Sequence, residues 1–218
     1  MHGLIDYYGV AHPDAGPDDI GRGDIFEAQP AYVPADFGLR LTDVDQSGGN
    51  EPGFELCGRT QDIFQHPPTR HFGGLAYGEA LVVAKAKWAR PVVVLAEGGK
   101  SLLAGPDKAR ATGTYLCAPI YGADQFSANL RRRLRAYDFP NLFYLPASEW
   151  PRFDEGFVRF DHVQAIRLSH LRNRSDAALS DEAMEAVGDW LVHYLTGRLD
   201  PASLLAAYRD EQRALLQS

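Results

Sequence analysis

The chain has 218 residues, of which 45% are apolar and 23% charged, and a formal net charge of −7. This is ordinary globular composition, and the length allows a sizeable core without metal or disulfide support. The acidic balance argues against an indiscriminate nucleic-acid binder, although a local basic groove is compatible with an acidic protein. No apolar run approaches the roughly 18 residues that a membrane span needs. The N-terminus "MHGLIDYYGVAHPDAG" lacks the basic and apolar regions of a secretory signal. A cytoplasmic protein with no membrane partner is therefore the expectation. Cys57 and Cys117 are read as reduced, partly buried thiols.

Residues 1–22 are rich in Gly, Pro and Asp and read as an irregular arm. A short strand follows at Ile25–Ala28. From about 30 to 78 the chain is full of breakers, as in "DQSGGNEPG" and "QHPPTRHFGG". A structureless loop of that length is unusual in a compact domain, so short strands or a cover over a groove are expected there. Ala80–Lys87 fits a strand or a helix. The Val-rich run Pro91–Leu95 reads as a buried strand. Thr114–Gly122 is a further strand, Asn129–Pro140 a short basic helix or turn, and Asn141–Ser148 another strand.

Phe157–Leu168, "FVRFDHVQAIRL", reads as one strand. Residues two apart on a strand share a face. Arg159 and Asp161 are thus expected side by side, with His162 pointing the other way. Ser180 is a helix N-cap followed by Asp181 and Glu182, and Gly197 closes that helix. A last helix is predicted with Asp200 as N-cap and Pro201 at its first position. The whole reads as a single α+β domain over 1–218. A small barrel-like sheet spans 23–175, with an insertion at about 30–78, and helices occupy 180–217.

Each chemical candidate has a plain structural reading beside it. Arg159 and Asp161 form either a solvated ion pair or a guanidinium and a carboxylate set for acid–base work at a phosphodiester. Arg90, before Pro91, is either a rim charge or a phosphate clamp. Arg131, Arg132, Arg133 and Arg135 are either a solvated helix face or a phosphate-tracking patch. Tyr121, Phe126 and Tyr137 either stack on bases or belong to the core and rim. His162 reads as structural or supporting. His66 and His71 lack partners at metal-binding spacing, so neither metal nor cofactor is expected.

Three segments in order add a resemblance: "RGDIFEA" (22–28), "ARPVVVLA" (89–96) and "EGFVRFDHVQAIRLSHL" (155–171). Together with "CAPIYG" and the helix after Ser180, they resemble the landmarks of the PemK/Kid/MazF toxin endoribonucleases. The resemblance implies an SH3-like barrel with C-terminal helices, usually a homodimer, that cleaves single-stranded RNA without metal and is inhibited by an antitoxin protein. It implies Asp161 as general base, Arg159 as acid or charge stabiliser and Arg90 as auxiliary catalytic group. Tyr121 stands where many members carry Thr or Ser, and Gln164 where others carry Arg. With His162, Arg131 and Arg132, these are the candidate substrate contacts. The inserted segment is far longer than the family's first loop. Two alternatives stand beside the enzyme: a non-catalytic relative that poisons a target such as gyrase through protein contacts, and an interaction module.

Overall fold

The structure is a computed structural model that describes residues 5–11, 19–32, 38–42, 53–57, 85–86, 89–100 and 113–217. The chain divides into two compact units, one formed by Met1–Pro30 with Trp88–Ser218 and the other by Ala31–Lys87. The first unit opens with strands β1 (Tyr8–Val10) and β2 (Asp24–Ala28). The second contains β3 (Ala31–Tyr32), β4 (Gly38–Thr42), β5 (Gly53–Cys57) and β6 (Lys85–Ala86), paired β3 with β6 and β4 with β5. The remaining elements belong to the first unit. They are β7 (Arg90–Lys100), β8 (Gly113–Gly122), helix α1 (Ala128–Arg135), β9 (Leu142–Leu145), β10 (Gly156–Arg159), β11 (Gln164–Arg167), β12 (Arg172–Leu179), α2 (Asp181–Thr196) and α3 (Leu204–Gln217). His66, His71 and most of Ala80–Lys87 lie outside the described residues.

The main sheet is antiparallel and eight-stranded, in the order β1-β12-β2-β7-β8-β10-β9, with β11 also on β8. An α+β chain with its long helices at the C-terminal end is thus observed. Among the described residues no ladder joins β1 to β9, so the sheet is open along this path. β7 is buried, as its Val run predicts, and it is buried on both sides. Val93 and Leu95 join a large cluster with Ile25, Ile120, Phe143, Val187 and Trp190. Val92 and Val94 join a smaller one with Phe26, Cys117 and Ile166. The Cys117 thiol is free and fully buried, and burial pushes its pKa up to about 12.

Three expectations are corrected. The N-terminal arm is not wholly irregular: β1 pairs with β12, and Ile5 and Tyr7 enter the core. Three residues are too short to show periodicity. The last helix starts at Leu204, not after Asp200. Asp200 caps the preceding turn through Ala202 N–H (2.9 Å), and the Ser203 hydroxyl accepts from Ala206 N–H (3.2 Å). Phe157–Leu168 is not one strand. β10 ends at Arg159, a 3₁₀ turn covers Phe160–His162, and β11 resumes at Gln164. Ser180 and Gly197 act as predicted: the Ser180 hydroxyl accepts from Ala183 N–H (3.0 Å), and Gly197 stops α2 at φ 70°.

The broken strand positions the site. One edge of β8 carries two partners in succession. β10 pairs with Ile120–Gly122, and β11 pairs with Thr114–Cys117. Between them the chain lifts off β8 in the 3₁₀ turn. Phe160 is buried and its N–H donates to Asn141 C=O (2.9 Å), which anchors the turn. Asp161 and His162 therefore ride on a fixed base at the sheet's rim.

Candidate functional site

Arg159 leaves the end of β10 and grips Asp161 in a bidentate pair. Nε donates to Oδ1 (2.9 Å) and Oδ2 (3.2 Å), and Nη2 donates to Oδ2 (2.8 Å). The Asn141 amide also donates to Asp161 Oδ1 (3.3 Å). The two side chains keep 36% and 30% of their exposure, so the pair is neither sealed nor fully solvated. The side-by-side placement expected from a strand is reached by another route. A 3₁₀ turn advances about 120° per residue rather than the 180° of a strand. His162 consequently does not point away from Asp161: its Nε2 lies 3.9 Å from Asp161 Oδ2.

Tyr121 is the hub. Its hydroxyl shares a hydrogen bond with His162 Nδ1 (2.9 Å). The Arg90 guanidinium lies 3.9 Å from its ring centre, and Phe157 stacks on it at 5.6 Å. Arg90 Nη1 also donates to Ile120 C=O (3.3 Å). Its position follows from the register, since β7 begins at Arg90 and runs beside β8. Arg159 lies 5.7 Å from the same ring. The Gln164 amide donates to His162 C=O (3.2 Å), which braces the turn. Thus Arg90, Tyr121, Arg159, Asp161, His162 and Gln164 come together.

Arg131 and Arg132 do not join them. They lie on α1 and make no ion pair or side-chain hydrogen bond among the described residues. Arg133 is held by Asp138 (3.1 Å) and Arg135 by Glu155 (2.6 Å), so half of the basic run braces the fold. Tyr137 is fully buried among Phe143, Trp190 and Tyr208, which removes it as a stacking platform. Tyr121 already packs against Arg90 and Phe157, so what it presents to the site is its hydroxyl. Asn141 was not singled out in the sequence. Only the hairpin that pairs Arg159 with Leu142 brings it to Asp161.

Burial and the neighbouring cations together set the local electrostatics. Burial works to raise the Asp161 pKa, but hydrogen bonds from Arg159 and Asn141, with the charges of Arg159 and His162, outweigh it and hold the carboxyl below its usual range. Burial lowers the His162 pKa, and the charges of Arg159 and Arg90 lower it further against the pull of Asp161. At neutral pH the cluster is therefore an ionised carboxylate, a neutral imidazole and two guanidinium groups. No protein-family model matches this chain, and no curated protein matches it either.

Proposed function

We propose that the chain is a PemK/MazF-like toxin: an SH3-like barrel, dimeric and cytoplasmic, that cleaves single-stranded RNA and is restrained by an antitoxin protein. The supporting observation is the half-exposed Arg159–Asp161 pair, gathered with Arg90 and His162 around Tyr121. A phosphodiester approaching this rim competes with Asp161 for the Arg159 guanidinium, because guanidinium pairs equally well with phosphate. That exchange releases the carboxylate to accept the proton of the 2′-hydroxyl. The 2′-oxygen bonds to phosphorus and the bond to the 5′-oxygen breaks. Arg159 and Arg90 stabilise the charge that builds on the phosphoryl and departing oxygens. The 5′-oxygen takes a proton from solvent, leaving a cyclic phosphate and a 5′-hydroxyl.

The test is incubation of the purified chain with mixed-sequence single-stranded RNA in EDTA. Discrete cleavage is expected, and Asp161→Asn and Arg159→Ala each lower it by at least about 100-fold. A second reading rests on how completely the pair is closed upon itself: both Asp161 oxygens are already engaged. In that case the pair is structural and the chain acts through protein contacts. Intact RNA with toxicity on expression selects that reading; intact RNA without toxicity selects an interaction module.

A further inference from the structure

β1 ends the main sheet, and among the described residues only its inner edge is paired. Tyr7 C=O accepts from Ser180 N–H (3.1 Å), and Ala11 N–H donates to Asp176 C=O (2.9 Å). Gly9 stands opposite Ala178 in the same register. Tyr7, Gly9 and Ala11 therefore aim their backbone groups at β12. Tyr8 and Val10 aim theirs the other way, and no described strand pairs with them there. Such an edge is a template for one more strand.

The side chains around this edge define what it accepts. Alternation places Asp6, Tyr8 and Val10 on one face of β1, while Ile5, Tyr7 and Ala11 are buried on the other. Tyr8 is pinned: its ring packs on Phe153 at 4.9 Å, and its hydroxyl donates to Pro146 C=O (2.6 Å). Val10 is 56% exposed, and Trp150, in the turn closed by Ser148 and Phe153, is 81% exposed. Residues 5–11, 148–154 and 176–182 meet here. They carry Asp6, Glu149, Asp154, Asp176, Asp181 and Glu182 against a single cation, Arg152. None of these is in an ion pair among the described residues. A second copy docking edge to edge would bring two acidic clusters together, which costs free energy. The charge favours a cationic strand instead.

We propose that the outer edge of β1 takes up an extended, basic segment of another protein as an added antiparallel strand. Its backbone bonds to Tyr8 and Val10, an apolar side chain lies opposite Val10, and a Lys or Arg lies opposite Asp6. Residues two apart share a face, so an antiparallel segment presents its apolar residue first and its cation four residues later. The edge lies at the other end of the strand order from β10 and the Arg159–Asp161 pair, and it is tested without reference to RNA cleavage.

The probe is a Thr-rich peptide with one Val and, four residues later, one Lys, titrated into the nitrogen-15-labelled chain. The amide signals of Tyr8 and Val10 are expected to shift together and to saturate. Val10→Pro removes an outward donor and spares the ladder to β12, so the chain keeps its fold and binding is expected to fall about tenfold. A peptide N-methylated at the Val and two residues beyond it is expected to lose as much, and it decides the matter if Val10→Pro fails to fold. Glu in place of the Lys is expected to weaken binding about fivefold. Equal binding by the N-methylated peptide overturns the proposal, as general charge attraction. Equal binding by the Glu peptide overturns the basic partner, and unmoved Tyr8 and Val10 signals overturn the edge as a docking site. A dimer in sedimentation that Val10→Pro dissolves, with no peptide bound, gives the edge to a second copy and overturns the proposal too.

Discussion

His162 is the most sensitive reporter of the site, because three charged neighbours act on it with different signs. Arg159 and Arg90 disfavour the imidazolium, while Asp161 favours it. Arg159→Ala should therefore raise the His162 pKa and Asp161→Asn should lower it, read from the imidazole proton shifts by NMR. Equal titration curves in both variants would contradict the charge arrangement. The linkage has one sign for both groups. Asp161 and His162 each have a folded-state pKa below the ordinary value, so the unfolded chain binds protons first as pH falls. Their contribution to stability is complete above the ordinary pKa of each group. It is lost on acidification, through the imidazole range for His162 and then the carboxyl range for Asp161.

The elements carry the site through close contacts that tolerate no extra atoms. A Cβ built on Gly156 would lie 2.8 Å from Tyr121 O and 3.6 Å from Ile120 Cγ2. β10 can press against β8 only because that position is bare. Gly156→Ala should push β10 away, cost about 1–3 kcal/mol in urea unfolding, and, on the proposed function, reduce RNA cleavage by shifting Arg159 from Tyr121. A variant of unchanged stability and unchanged cleavage would show that β10 does not fix Arg159. The 3₁₀ turn depends on the same neighbourhood, since Phe160 is locked by packing and by Asn141. A strand reading of "FVRFDHVQAIRL" misses this turn because the local pattern is strand-like throughout. What lifts the chain off β8 is the anchoring of Phe160 in the core, a tertiary effect.

Across the whole first unit, α2 is coupled to the strand beside the site. Met184, Val187 and Trp190 enter the large core, and the Trp190 indole N–H donates to Leu142 C=O (2.8 Å) on the β9 residue that pairs with Arg159. Trp190 is 1% exposed and packs against Tyr137 at 5.1 Å. Trp190→Ala should cost about 3–5 kcal/mol through the cavity and the lost hydrogen bond. The measurement is a urea midpoint that falls while the slope of the transition is kept. A loss below about 1 kcal/mol would mean that α2 is not part of this core.

Local chemistry alone was enough to read the Val-rich strand at β7, the helix between Ser180 and Gly197 and a short basic helix or turn at α1. Each depends on a pattern or cap within one stretch of chain, where propensity and burial agree. Three features needed the tertiary structure: the short β1 on β12, the 3₁₀ turn beneath Asp161 and the Asn141 hydrogen bond. Those are decided by which strands become neighbours and by what the core holds fixed, and neither is written in the spacing of any single segment.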